Sequence, residues 1–452
     1  MTDEGPGKYN RIFILALDGT PYSLLKKMMA GGRMPNLKKL AEETDFRQMD
    51  SVMPPVSSVA WTSFMTGTGP GDHGIYGFVD RNPETMQWYV PMNDHIKAET
   101  IQSRLTKSGK KLFMMNVPCT YPPKQVNGKL ISGFLNNDIS RATYPPELGT
   151  LLKARGYIID ADTEIAKQDL NRFYRHLVDV LERRIETMWH FWDQEDWDFF
   201  MTHIMETDRL HHFFWEFMEK DDPVWSGQFY KFYELIDRLI GKIVLEIPGD
   251  MPLMLLSDHG FTTLEKEAYL NNWLRDKGYL KFTRQYPETL QDLHPETLAY
   301  SLYPGRIYIN LQGREKNGTV LPGVHYEQVR QEIKKSLLNF TDPQNGKKII
   351  KRVIPGEEIF DRPAGDGNIL NSNFIDPAKN HYPDLVAIAH TGYDLKGNLR
   401  HEQLFDKTVF NGMHTFDDAF ILLRHGDLPR DRISIADIAK VIYEILHVDN
   451  SH

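Results

Sequence analysis

The sequence predicts an α/β protein with a mostly parallel central sheet, helices on both faces and an inserted cap region. Three features predict it. Short continuous apolar runs have the length of strands buried on both sides and end in polar residues. Stretches with apolar residues at steps of three and four separate them, as alternation of strands and helices requires. Carboxylates, imidazoles and hydroxyls stand at the ends of the runs, which is the edge where open α/β sheets bind ligands.

Residues 11–17 (Arg-Ile-Phe-Ile-Leu-Ala-Leu) form the first strand and stop at Asp18-Gly19. Helices follow over 22–30, stopped by Gly31-Gly32, and over 36–43. Pro54 and Pro55 then force an extended or turning backbone, and the run to Thr66 has helical spacing, so Ser57 falls at a helix N-terminus. Unpaired amide hydrogens and the positive end of the helix dipole meet there and stabilise an anion, including the alkoxide form of a serine. A serine that only caps a helix occupies the same place in a sequence, so Ser57 alone does not choose between nucleophile and cap. Gly67, Gly69, Gly71 and Gly74 fit neither a dinucleotide fingerprint nor a Walker loop, since no Lys-Ser or Lys-Thr follows.

A second strand covers 111–117. Phe173, Leu177, Leu181, Ile185, Met188 and Trp192 mark one long amphipathic helix, and its Met and Trp positions are expected to be core contacts. A strand at 198–204 leads into a helix at about 208–217; another helix covers 228–245, and the strand at 252–256 ends in Ser257-Asp258-His259-Gly260. Between Phe261 and Gly412 regularity is lowest: strands are expected at 306–311, 348–353 and 384–389, with turns such as Arg362-Pro363-Ala364-Gly365-Asp366-Gly367. The expected division is a core of residues 1–260 and 384–452 and a cap of 261–383 that partly returns to the sheet. A strand at 419–423 and a helix carrying Ile435, Ile438, Ile442 and Ile445 close the chain.

Composition narrows the function. With 452 residues, 41% of them hydrophobic, the chain buries a large core and is not a disordered or fibrous protein. Its net charge of −9 and the absence of any Lys or Arg block argue against a nucleic-acid polymer or an anionic membrane surface as partner. A small phosphorylated substrate held through metals is compatible with that charge. The single cysteine, Cys119, allows neither an intrachain disulfide nor a cysteine zinc cluster. The polar, acidic N-terminus lacks the apolar core of a secretion signal, and no apolar run approaches the ~20 residues of a membrane helix, so cytoplasm is the expected compartment.

Four places put metal-ligating side chains beside sheet edges. Asp18 ends the first strand, Asp258 and His259 end the strand at 252–256, and His414 stands just before the last strand. Asp208 and His212 lie four apart on a predicted helix, on one face. Such carboxylate and imidazole groups suit zinc first and manganese second. Each piece alone also fits a turn or a surface pair; the case rests on six such residues in order together with the serine. His211 is about 100° round the helix from His212 and is expected to pack or face solvent.

Leu17-Asp18-Gly19, Pro-Pro-Val-Ser57 to Thr66-Gly67 with Pro70 and His73-Gly74, Thr207-Asp208 with His212, Ser257-Asp258-His259-Gly260 and Gly412-Met413-His414 together resemble the alkaline phosphatase superfamily. Within it they are most similar to the type I phosphodiesterase and nucleotide pyrophosphatase branch. The resemblance implies an alkaline-phosphatase-like fold and a hydrolase of phosphate esters with two divalent cations. Asp208, His212 and His414 would hold one, and Asp18, Asp258 and His259 the other, with Ser57 bound to the second as nucleophile. Ser57 matches rather than Ser58 because the family nucleophile precedes the Thr of Thr-Gly, here Thr66, by nine residues. Three positions depart from the branch: Val59 replaces a proline, Asp418 a glycine, and Phe78 the asparagine that helps nucleotide pyrophosphatases hold the phosphoryl oxygen. The sulfatase signature is absent from Ser57-Ser58-Val59-Ala60-Trp61. A phosphomonoesterase with the same site, and a metal-bearing binding protein without turnover, remain as alternatives.

Overall fold

The computed structural model describes residues 10–134, 138–193, 196–361, 380–429 and 431–449. The turn expected at 362–367 lies outside the described residues. The chain divides into two compact units: Met1–Thr68, Met92–Thr262 and His414–His452 form one, and Gly69–Pro91 with Thr263–Met413 the other.

The first unit is built on an eight-stranded sheet. Its strands are β1 (Ile12–Leu17), β2 (Asp45–Met49), β3 (Leu112–Val117), β4 (Gly128–Ser132), β5 (Thr143–Tyr144), β6 (Phe199–Ile204), β7 (Leu253–Leu256) and β8 (Ala419–Arg424), in the order β2-β8-β7-β1-β6-β3-β4-β5. The centre is parallel: β1 pairs with β6 and β7, and β3 with β6 and β4. The margins are antiparallel, β8 against β7 and β2, and β5 against β4. All six residues of β1 are fully buried, so both faces of the sheet are covered at its centre. The short polar margin strands β2 and β5 carry little apolar pattern, which is why the sequence does not announce them.

Register fixes where the polar ends emerge. Leu17 lies level with Ile204, and Ala16 with Leu256. The residues after β1, β6 and β7 therefore leave the sheet at one rim. Four helices matter for what gathers there: α1 (Ser57–Thr66), α2 (Leu170–Trp192), α3 (Glu206–Glu219) and α4 (Trp225–Glu246). Every residue of α1 is buried, its apolar side chains in the core and its Thr62 and Thr66 hydroxyls bonded back to the Ser58 and Thr62 carbonyls. On α2, Met188 is fully buried and Trp192 packs edge-on to Phe13 of β1 at 5.1 Å, the core contacts that the periodicity predicts.

In the second unit, Ala299–Leu302, Arg306–Ile309, Leu385–Ala389 and Ile350–Pro355 form a four-stranded antiparallel sheet. The strand expected at 384–389 thus does not return to the central sheet, and this unit extends to Met413 rather than ending at 383. It also takes in Gly69–Pro91, because Arg81 forms a fully buried ion pair with Glu315 at 2.9 Å. The apolar pattern identifies a strand but not its partner, so the boundary after Met413 was not visible in it. Among the described residues no helix is long and apolar enough to cross a membrane.

Candidate active site

The turn after β1 is the first piece of the site. Gly19 has φ +63°, and a Cβ there would come within 2.7 Å of the Phe261 ring, so the turn requires glycine. The turn sets Asp18, fully buried, at the rim. α1 begins at Ser57; Val56 is its N-cap, and no side chain caps the helix. Ser57 is thus not a capping serine. Its Oγ lies 3.2 Å from Asp18 Oδ1 and 3.3 Å from His259 Nε2, whereas the buried Ser58 Oγ has no hydrogen-bond partner among the described residues. The first helical amide bonds run from Val59 and Ala60 to the Val56 carbonyl, which leaves the Ser57 amide ahead of the ladder at the positive end of the helix.

After β7 the chain turns through Ser257, whose hydroxyl donates to the Thr20 carbonyl and accepts from the Phe420 amide. Asp258 Oδ1 accepts from the Gly19 amide at 3.0 Å, and its Oδ2 faces His259 Nε2 at 3.3 Å. His259 Nδ1 lies 3.1 Å from the Gly260 carbonyl oxygen, so Nδ1 carries the proton and Nε2 presents a lone pair to Ser57, Asp18 and Asp258. His414 is fixed in the same way, with Nδ1 donating to the Pro55 carbonyl at 3.0 Å.

α3 carries Asp208 and His212 on one face, as their spacing predicts. Asp208 Oδ1 is 3.4 Å from His212 Nε2 and 3.3 Å from His414 Nε2, and the two Nε2 atoms are 3.1 Å apart. A four-coordinate zinc with ligands at about 2.0 to 2.1 Å separates neighbouring donors by roughly 3.3 Å. Asp208, His212 and His414 match that spacing, and so do Ser57, Asp18 and His259, at 3.2 to 3.7 Å from one another; Asp258 meets this group through His259, at 3.3 Å. Asp208 also reaches towards the second group: donor atoms of Asp18, Asp208 and His259 all lie within 4.8 Å of one another. All seven residues singled out in the sequence are therefore brought together.

The electrostatics point the same way. Among the described residues, Asp208 Oδ1 and Asp258 Oδ2 are buried without a hydrogen bond. Burial pushes the Asp208 carboxyl up, but His212, His414 and Arg209 outweigh it and hold it well below the usual carboxylate range. Burial, reinforced by the Asp18 charge, drives Asp258 well above that range. His259 falls to about 4, through burial and the neighbouring His414. Three carboxylates face one guanidinium, Arg209, which binds Asp208 Oδ2 at 2.9 Å and is also forked onto Asp160. An excess of buried negative charge with bare donor atoms fits divalent cations.

Several contacts were not visible in the sequence. His211 is fully buried, donating from Nδ1 to the Gly19 carbonyl and accepting at Nε2 from Tyr233, so it packs and braces the turn rather than facing solvent. Thr207 Oγ1 donates to the Asp18 carbonyl at 2.6 Å. Trp61 and His203 both touch Asp18 Oδ2. A histidine inside the apolar run Phe-Phe-Met-Thr-His203-Ile was the one available signal.

A hydroxyl at a helix start, among carboxylates and imidazoles on the rim of a mostly parallel sheet, defines a phosphoester hydrolase of the alkaline-phosphatase-like class. The chain belongs to the type I phosphodiesterase / nucleotide pyrophosphatase family, whose model matches residues 12–417. No curated protein sequence matches it significantly. Among solved structures it is similar to phosphonoacetate hydrolase from Sinorhizobium meliloti 1021 in complex with phosphonoformate, with a TM-score of 0.62 and 15% identity over 98% of this chain and 96% of that one. It is also similar to an inactive variant of murine ectonucleotide pyrophosphatase / phosphodiesterase 5 in complex with AMP, with a TM-score of 0.58 and 12% identity over the same shares. At such identities the likeness speaks to fold.

Proposed function

We propose that the protein hydrolyses small phosphate diesters with Ser57 as nucleophile and two divalent cations, zinc first and manganese second. The observation that carries the proposal is the Ser57 Oγ, 3.2 Å from Asp18 Oδ1 and 3.3 Å from His259 Nε2 at the start of α1. Asp208, His212 and His414 would hold one cation, and Asp18, Asp258 and His259 the other. When bound, the cations supply charge neutralisation at phosphorus and lower the pKa of the serine hydroxyl. Ser57 Oγ forms the new bond to phosphorus as the bond to the leaving oxygen breaks, giving a phosphoryl-serine that water then releases. The amide at the start of α1 donates to a non-bridging oxygen, and the buried rim excludes bulk water.

Two observations support the substrate class. Phosphonoformate and AMP, bound by two structural neighbours, are small phosphorus anions, which supports a small phosphorus-bearing ligand; neither is a diester, so the diester preference rests on the charge at the site. Arg209, the guanidinium that touches the cluster, is already held by Asp160 and Asp208, so it has little charge left to offer the second negative charge of a monoester. A diester monoanion needs none.

The zinc-loaded protein is expected to cleave bis-p-nitrophenyl phosphate with kcat/KM at least tenfold above the monoester. Ser57→Ala should lower turnover on the order of a thousandfold, about 4 kcal/mol, while both zinc ions stay bound. Near-normal turnover in that variant would overturn the nucleophile, and a preference for the monoester would move the protein to the phosphomonoesterases.

A further inference from the structure

The two oxygens of Asp18 are treated differently. Oδ1 faces Ser57 and His259, at 3.2 and 3.7 Å. Oδ2 is turned away and receives the Trp61 indole N–H at 2.7 Å and His203 Nε2 at 2.8 Å. The backbone is pinned too, since the Asp18 amide donates to the Ile204 carbonyl and its own carbonyl accepts from Thr207. His203 lies on β6 level with Ala16 of β1, directly beneath the turn that bears Asp18. Its ring and the Asp18 side chain are both fully buried. A carboxylate oxygen only accepts, so the proton of that contact sits on Nε2. His203 Nδ1 is buried and has no hydrogen-bond partner among the described residues. The ring therefore makes one hydrogen bond, and it makes it to Asp18. Trp61 stands edge-on to the His203 ring at 4.8 Å and 87°, which fixes the approach of both donors.

Resting on the metal reading above, we propose that His203 and Trp61 are positioning residues that make Asp18 a one-oxygen ligand and so set the affinity of the Ser57-side cation, independently of the cation at Asp208, His212 and His414. With Oδ2 engaged twice, the carboxylate cannot rotate to offer both oxygens, and Oδ1 is held where Ser57, Asp258 and His259 converge. Partners of this kind orient metal ligands, and losing one weakens metal binding by about 10- to 100-fold. The contacts of His203 are with Asp18 and the Trp61 ring, so its effect on the chemistry runs through Asp18.

The test is zinc titration of the full-length apoprotein against a chromophoric chelator, read as two stepwise dissociation constants, with thermal unfolding of the same samples. His203→Leu should weaken one of the two sites by about 10- to 100-fold and leave the other within about threefold. His203→Gln, which keeps a side-chain N–H, should recover most of the loss. Trp61→Phe removes the other donor to the same oxygen and should weaken the same site; it decides the matter if His203→Leu does not fold. Wild-type affinities at both sites in folded His203→Leu or Trp61→Phe would overturn the inference alone, as would equal weakening of both sites. A wild-type chain that takes up no zinc would overturn the metal reading and the inference together.

Discussion

Each unit buries a cluster of charged side chains, and the two differ in how they are closed. In the second unit Arg81 and Arg314 meet Glu315 and Asp384, two cations and two anions. Asp384 accepts from Arg314 at both oxygens, from Tyr326 at Oδ1 and from the Ile309 amide at Oδ2. Glu315 takes Arg81 and Arg314 on Oε1 and the Leu311 amide on Oε2. Charge and hydrogen bonds balance within the chain. In the first unit Asp208 shares Arg209 with Asp160, and among the described residues Asp208 Oδ1 and Asp258 Oδ2 have no hydrogen bond. A network that satisfies itself holds strands together; one that leaves buried acceptors bare is completed by something from outside.

The sharpest way to break that contrast is to remove one carboxylate charge from each cluster. Asp258→Asn should lower kcat on the order of a thousandfold, about 4 kcal/mol, with apoprotein stability in urea within about 1 kcal/mol of wild type, since burial already disfavours the Asp258 charge. Asp384→Asn should do the reverse. It breaks a buried pair and should destabilise by about 3 to 5 kcal/mol, with zinc stoichiometry unchanged at temperatures where the protein stays folded. If the two variants exchanged these effects, the distinction between a site and a brace would be lost.

A smaller effect separates acid sensitivity within the second unit. His73 is buried, its Nδ1 accepts from the Ile75 amide at 3.1 Å, and burial lowers its pKa to about 3. Below about pH 6.5 the unfolded chain binds a proton there that the folded one refuses, so stability falls as pH falls towards 3, by up to about 1.4 kcal/mol per pH unit. Arg314 outweighs burial at Asp384 and holds it below the usual range, so its stabilising contribution is constant above about pH 4 and is lost only below. Urea unfolding between pH 6.5 and 4.5 should show a shallower slope for His73→Gln than for wild type. An unchanged slope would assign the acid sensitivity elsewhere.

The smallest effect is expected beside the nucleophile. The Ser58 hydroxyl is buried without a partner among the described residues, so Ser58→Ala should change kcat less than about threefold and stability by less than about 1 kcal/mol. A collapse of turnover in steady-state assays would mean that the wrong serine has been assigned.

The strand and helix pattern, the start of α1 at Ser57 and the residue types at the ends of β1 and β7 were legible in the sequence, because periodicity and end chemistry are local properties. So was the choice of the seven side chains that the fold gathers at one rim, through motifs that fix order and spacing. The partner of a strand is not local: the run at 384–389 pairs with Arg306–Ile309 and Ile350–Pro355, and nothing within the run says so. Tertiary structure alone decided that His203, one polar residue in a buried strand, lies beneath Asp18, and that Trp61 aims its N–H at the same oxygen. Hydrogen bonds between residues 43 and 185 positions apart depend on the register of β1 against β6 and on the seating of α1, which only the packed sheet defines.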